Sequence, residues 1–205
     1  MDEYGLGGSG THCYTGFVKN PLDENRITGG SSSGSVANVA AGISAFAIGT
    51  DTGDSIRRPA SFVGVVGYKP TYGAISRYGV LPYAPSFDHV GIISKYVTDA
   101  VIVAQTLIKH DPKDYTSTTM IKDVKLDNLR EQKAIKFVVI SNLVKMLDED
   151  KQAIFNKLVE QLKAQGHLVV EAQLDKKVLD SLSFAYKVLT YTEGYSCYSS
   201  LQGIT

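Results

Sequence analysis

Two serine-bearing loops, Gly29-Gly30-Ser31-Ser32-Ser33-Gly34 and Asp51-Thr52-Gly53-Asp54-Ser55, hold the residue types from which a hydrolytic site can be built. A serine hydroxyl attacks a carbonyl only when a base removes its proton, and neighbouring glycines let backbone N–H groups face the anion that forms. Four chemistries compete for these loops. A phosphate cradle needs G-x-x-x-x-G-K-[ST]; Gly29 and Gly34 keep that spacing, but Ser35 stands where the lysine belongs. A nucleophile elbow, G-x-S-x-G, is matched by Gly30-Ser31-Ser32-Ser33-Gly34 with Ser32 as nucleophile. It also needs a buried strand before it and a histidine partner. The preceding PLDENRIT is polar, and His12, His89, His110 and His167 each read as surface or satisfied loop residues. The third option is close backbone packing with no chemistry. The fourth is a hydrolase without histidine, in which one serine is activated through another and finally by a lysine whose proton affinity falls on burial. Thr52-Gly53-Asp54-Ser55, opening a new helix, fits its need for several converging N–H groups. On residue types alone the last two options both stand.

The chain of 205 residues is 43% hydrophobic and 20% charged, the make-up of an ordinary soluble globular protein. Lys+Arg and Asp+Glu number 21 each, so no net field favours nucleic acid or an anionic membrane as a direct partner. Cys13 and Cys197 read as buried reduced thiols of a cytoplasmic protein, and MDEYGLGGSG lacks the features of a targeting sequence. The longest apolar stretch, 36–48, is interrupted by Asn38, Gly42 and Ser44 and is shorter than the roughly 20 residues that span a bilayer, so no membrane partner is expected.

The elements that must position the serines follow from periodicity and breakers. Residues 1–30 are irregular, with Gly5, Gly7, Gly8, Gly10 and the Asn20-Pro21 break. Ser33 or Ser35 is expected to cap a helix of small residues running to Ala41, which Gly42 ends. Ile43–Ile48 reads as a short buried strand leading into the GTDTG turn, and Phe62–Tyr68 as a second apolar run. Residues 71–91 form a Gly/Pro/Tyr-rich connection of the kind that carries function. Val90–Ser94 reads as a strand. Thr98 caps a helix to Ile108 with Val101, Ala104, Gln105 and Ile108 on its stripe, and the polar His110–Asn128 wraps the outside. Lys136–Ile140 is a central strand. Asp148–Gln165 is the clearest helix, with Ile154, Leu158 and Leu162 as its buried stripe, flanked by Phe155 and Val159, and Gly166 as its stop. Leu168–Val170 and Val178–Leu189 add a strand and a helix. Alternating strands and helices predict an α/β layered fold with a parallel or mixed sheet.

Gly29-Gly30-Ser31-Ser32 followed by Asp51-Thr52-Gly53-Asp54-Ser55-Ile56-Arg57-Arg58-Pro59 resembles the hallmark of the amidase signature family, a GGSS-type loop and a D-x-G-x-S-I-R-x-P turn. MDEYGLGG, GVVGYKPTYGAISRYG, Phe87-Asp88-His89-Val90-Gly91 and HDPKDYTST resemble one branch of it, the A subunits of glutamyl-tRNA(Gln) amidotransferases, so the likeness covers essentially the whole chain. The resemblance implies a mixed sheet flanked by helices on both faces, with residues 1–205 as the central part of one domain. It implies Ser55 as the acylated nucleophile and Ser31 as the bridging serine, held by a cis peptide in that family. Thr52, Gly53 and Asp54 would form the oxyanion hole, with Asp51, Arg57 and Ser32 in support. The family's third catalytic member, a lysine, lies well upstream of the GGSS loop. Lys19 is the one lysine before Ser31, and it falls where the family has an ordinary surface residue.

That resemblance further implies glutamine as substrate, B and C subunits as partners, and Glu-tRNA(Gln) reached through them. ATP and Mg would serve the partner subunit, with no cofactor and no metal in this one. A stand-alone amidase on another small or aryl amide, or a non-catalytic assembly subunit, are the alternatives. Residues 1–205 by themselves are expected to be inactive. Two residues depart from the family pattern: Asp54 and Ser33 each replace a usual glycine, and Asp54 is expected to point to solvent. Arg57 is expected to brace the loop through carbonyls or through Asp51 rather than to touch substrate.

Overall fold

The computed structural model describes residues 1–119 and 134–202. These divide into two compact units, one holding the described residues up to 119 together with those from 189, the other those from 134 to 188. Part of the polar segment His110–Asn128 lies outside the described residues.

The first unit opens with a 3₁₀ turn, Glu3–Gly5, and a small antiparallel hairpin of β1 (Lys19–Asn20) and β2 (Asp23–Ile27). It then runs through α1 (Ser33–Ala40), β3 (Phe46–Asp51), α2 (Arg57–Phe62), β4 (Val66–Tyr68), β5 (His89–Ser94) and α3 (Val97–Leu107). Strand order is β3-β5-β4, both pairings antiparallel. Side chains alternate across the central strand β5. Ile93 packs with Val36 and Val39 of α1, Ala60 of α2 and the residues flanking α2, Ile56 and Val63, while Val90 and Ile92 pack with Ile75, Ala100 and Ala104 on the α3 side. Helices therefore cover both faces of this sheet.

The second unit pairs β6 (Lys136–Ile140) with β7 (Leu168–Ala172) in parallel, with α4 (Ser141–Val144) and α5 (Glu149–Ala164) between them in sequence. The long α6 (Lys176–Gln202) follows, its residues to 188 in this unit and those from 189 in the first. The start of α5 is fixed by Asp148, whose side chain accepts from the Lys151 N–H, with Glu149 and Asp150 in the positive first turn. Gly166, at φ +85°, ends it.

Several boundaries differ from the sequence reading for identifiable reasons. Strand β3 starts at Phe46 because Ile43 and Ser44 still donate to the Asn38 carbonyl as the chain leaves α1. Phe62 closes α2, and Gly64 at φ +70° separates it from β4. Ser33 and Ser35 do not cap α1: Ser32 is the N-cap residue, and the Ser35 hydroxyl donates to the Ile48 carbonyl instead. Helix α3 follows Tyr96 with no side-chain cap, and its buried positions are Ala100 and Ala104. On α5 the apolar arc is wider than the sheet it meets. Phe155, Val159 and Leu162 are part-buried, whereas Ile154 and Leu158 are 68% and 49% exposed.

Candidate active site

The two serine loops come together on the α1/α2 face of the β3-β5-β4 sheet because three strand glycines leave room there. Gly49 and Gly91 are directly opposed in the ladder, and Gly67 on β4 is opposite Ile93, two residues along β5 from Gly91. A Cβ on Gly91 would sit 2.4 Å from the Tyr68 carbonyl oxygen and 2.7 Å from Ile56 Cδ1, and one on Gly49 would sit 2.6 Å from Ser32 Oγ. A Cβ on Gly67 would meet the Ala60 Cβ at 2.7 Å and the Ile56 carbonyl oxygen at 2.9 Å. The bare strands thus let Ser32 and Ile56, the neighbours of Ser31 and Ser55, lie down on the sheet.

The first loop is held by its backbone. Ser31 accepts from the Asp2 N–H at 3.0 Å, Gly30 donates to the Gly8 carbonyl at 2.9 Å, and Ser32 donates to the Ser55 carbonyl at 3.3 Å. Gly30 has two reasons to be glycine: φ is +67°, and a Cβ would lie 2.4 Å from Pro59 Cγ and 3.0 Å from the Ser55 carbonyl oxygen. The cis peptide expected at Ser31 is absent. Among the described residues every peptide bond is trans, and the loop turns instead through left-handed Gly29 and Gly30.

The three clustered serines differ in what their hydroxyls do. Ser32 Oγ donates to the Thr50 carbonyl at 3.1 Å, and Ser33 Oγ contacts Cys13 Sγ at 3.8 Å. Ser31 and Ser55 are 1% and 8% exposed, and among the described residues neither hydroxyl has a hydrogen-bond partner. None of the four histidines bonds a serine of the loops. His12 contacts Thr11, His89 faces the Phe87 carbonyl with its ring edge-on to Tyr72, His167 accepts from the Ile135 N–H, and His110 is exposed. Burial, more than any nearby charge, pushes the His89 pKa down. Lys19 pairs with Glu24 on the exposed hairpin.

Asp51 closes β3 fully buried and gathers the second loop around itself. It accepts from the Ile56 N–H at 3.0 Å, the Arg57 N–H at 3.4 Å, and the Arg57 guanidinium at 3.2 and 3.1 Å. That bond to Asp51 also raises the Arg57 pKa. Arg57 donates in addition to the Gly53 carbonyl, so it braces the turn from both sides. Asp54 is half-exposed and lies 3.2 Å from Arg58 Nε as an ion pair off hydrogen-bonding angle, while Arg58 Nη2 donates to the Gly8 carbonyl. The consequence is a turn fixed by its carboxylates, carbonyl and side chains. Among the described residues the N–H groups of Thr52, Gly53, Asp54 and Ser55 have no acceptor.

A cavity of about 320 Å³ opens beside this turn, lined by Tyr4, Gly5, Thr50, Thr52, Tyr83 and Asp88 among others. Ser31 and Ser55 are not among its lining residues; Gly5 is, and Ser31 Oγ is 4.0 Å from where a Gly5 Cβ would sit. The volume is at the small end of ligand sites. A separate cavity of about 330 Å³, around Arg77, Pro85 and Thr116, contains none of the serines. Among the described residues no group of three or more His, Cys, Asp or Glu side chains is placed to hold a metal ion, and no helix is long and apolar enough to cross a membrane.

Two buried carboxylates escaped the sequence reading as site residues. Asp2 accepts from the N–H groups of Ser9, Gly10 and His12, each at 2.9 Å, and organises the loop that Ser31 rests on. Burial alone would raise its pKa, but those N–H groups outweigh burial and hold it low. Asp88, 6% exposed, accepts from the Thr52 hydroxyl. Their partners are mostly backbone N–H groups, which leave no trace in residue type.

A family model described as amidase matches residues 1–204. The chain is 45% identical over its whole length to the A subunit of glutamyl-tRNA(Gln) amidotransferase from Mycoplasma pneumoniae, covering 43% of that protein. Its structure superposes on the crystal structure of the corresponding protein from Thermotoga maritima with a TM-score of 0.88 at 33% identity, covering all of this chain and 44% of that one. The native peptide amidase of Stenotrophomonas maltophilia matches with a TM-score of 0.80 at 29% identity, over 95% of this chain and 41% of the other. The chain thus spans less than half the length of these relatives.

Proposed function

Because the chain belongs to the amidase family, we propose that it carries the nucleophile and oxyanion turn of a glutamine-hydrolysing subunit that feeds ammonia to a tRNA-dependent amidotransferase. The observation that carries this reading is that two buried serines, Ser31 and Ser55, keep hydroxyls without a partner among the described residues, and that the four consecutive N–H groups of residues 52–55 have no acceptor there. Ser55 Oγ attacks the side-chain amide carbon of glutamine. Its proton passes to the Ser31 hydroxyl and on to the lysine that the family resemblance places upstream. The negative oxygen of the tetrahedral adduct is met by the N–H groups of residues 52–55. The proton returns to the leaving nitrogen, ammonia departs, and water cleaves the acyl-serine to glutamate by the same relay. The ammonia then serves the B subunit, where ATP and Mg activate the glutamate of Glu-tRNA(Gln), with the C subunit in the assembly. Near-zero net charge agrees with leaving the tRNA to that partner.

Relatives at higher identity are named as amidotransferase A subunits, which favours this reading over a stand-alone amidase. The fold match to peptide amidase keeps the latter as the second reading. The test is turnover by the complete protein with its partners. Ser31→Ala is expected to lower glutamine hydrolysis by about 10² or more with an unchanged melting temperature, the scale of a lost acid/base group. Full activity in Ser31→Ala would remove that serine from the mechanism. Hydrolysis of many amides with no response to the partner would favour the stand-alone amidase, and no acylation at all the assembly subunit.

A further inference from the structure

The turn Thr52-Gly53-Asp54 is clamped at each residue without using its N–H groups. Arg57 holds the Gly53 carbonyl and Arg58 pairs with the Asp54 carboxylate, both from the start of α2, and these two clamps are partly solvent-exposed. The clamp on Thr52 differs in origin and in environment. It comes from Asp88, a buried residue at the end of the connection before β5, while Thr52 is half-buried. Asp88 Oδ1 accepts from Thr52 Oγ1 at 2.6 Å, while Oδ2 accepts from the N–H groups of Tyr83 at 2.8 Å and Ala84 at 3.0 Å. Among the described residues no cation is paired with this carboxylate; Arg77 instead donates to the Asp88 backbone carbonyl at 3.3 Å. Three neutral donors therefore fix one buried charge. Such an arrangement is costly to disturb and geometrically stiff. Both Thr52 and Asp88 also line the cavity beside the turn.

We infer that Asp88 is a positioning residue for the oxyanion turn, holding Thr52 so that the N–H groups after it point at the reacting carbonyl oxygen. The inference rests on the proposed role of Ser55. Asp88 does not touch the reacting atoms. It acts through Thr52, whose side chain fixes the first residue of the turn while leaving every N–H free. A short O–H···O⁻ bond suits this task, because hydrogen bonds to an ionised acceptor are shorter and about twice as strong as neutral ones.

The test uses the complete protein. Thr52→Val removes the hydroxyl and keeps the shape; Thr52→Ser keeps the hydroxyl; Ser55→Ala reports on the proposed chemistry itself. Thr52→Val is expected to lower kcat about tenfold or more with KM nearly unchanged, less than the ~10²–10³ of an oxyanion donor lost outright. It should weaken inhibition by glutamate γ-semialdehyde, which forms a tetrahedral adduct with a serine, by a similar factor. Thr52→Ser should restore both to within about threefold, because it restores the bond to Asp88. Asp88→Asn should lower kcat as well, and adding Thr52→Val to it should do little more, as expected of two members of one interaction. If Thr52→Val keeps wild-type turnover and aldehyde inhibition while Ser55→Ala is inactive, the positioning role is wrong and the function stands. If Thr52→Ser is as impaired as Thr52→Val, the hydroxyl is not what matters and the inference falls. If Ser55→Ala stays active, the functional reading falls, and the inference with it.

Discussion

Breaking the Asp51–Arg57 pair asks whether charge holds the turn before Ser55. Asp51 is fully buried and accepts four donors, two backbone and two guanidinium, at 3.0 to 3.4 Å. The Arg57 side chain is 49% exposed and regains water when the carboxylate is removed. Asp51→Asn keeps an oxygen for the Ile56 N–H and loses the charge, so a cost of about 2 kcal/mol is expected, within the range for hydrogen bonds to charged groups. Arg57→Ala should cost more, about 3 kcal/mol, because it strands a buried carboxylate; half-exposure of the arginine keeps the figure at the low end of the usual ~3–5. The double variant should then cost little more than Arg57→Ala alone, since the charge that was stranded is gone, which leaves a coupling of about 1–2 kcal/mol. Urea denaturation of the complete protein measures the three changes, and hydrogen exchange at the Ile56 N–H reports the site directly. Turnover should fall in parallel, because the Gly53 carbonyl loses its donor. Strict additivity, or an Arg57→Ala cost under about 0.5 kcal/mol, the range of neutral surface changes, would refute the idea that this pair holds the turn.

Gly91→Ala is expected to destabilise by about 1–3 kcal/mol, the usual cost of overpacking, and to lower turnover, because its Cβ meets both the Tyr68 carbonyl and Ile56; unchanged melting temperature and activity would contradict the close approach. On α5, Leu158→Ala should cost under about 1 kcal/mol and Phe155→Ala about 2, since the first is half-exposed and the second part-buried; the reverse order by denaturation would mean the inward face is misassigned. Asp2 has a folded pKa below its unfolded value of about 3.9, so its contribution is complete above about pH 4 and is lost as pH falls through the folded value. Asp2→Asn should therefore flatten the acid limb of a stability–pH curve, and an identical limb in both proteins would exclude Asp2 as its source.

What the sequence made legible was local. Gly29 to Ser33 and Asp51 to Arg57 stood out as candidate loops because their residue types are unusual at that density, and the fold brings the two together. The strand Lys136–Ile140 and the limits of α5 were readable because caps and breakers are local. The inward face of α5 was not, because Ile154, Leu158, Phe155 and Val159 are all apolar and periodicity cannot say which of two adjacent stripes a small sheet will cover. The floor under the site was equally hidden. Gly49, Gly67 and Gly91 look like ordinary strand glycines until pairing opposes Gly49 to Gly91 and sets Gly67 two residues along the same central strand. Asp2 and Asp88 were missed as site residues for a related reason: most of the groups that stabilise them are N–H groups common to any sequence.

The central claim, that Ser55 is the nucleophile, is met most directly by covalent labelling. The complete protein is treated with a fluorophosphonate or a glutamine-derived chloroketone, and the adduct is mapped by peptide mass spectrometry. A single adduct on Ser55 is expected, lost in Ser55→Ala, with Ser32 clean because its hydroxyl is committed to the Thr50 carbonyl. An adduct on Ser32 with Ser55 unmodified would contradict this and return the nucleophile to the first loop.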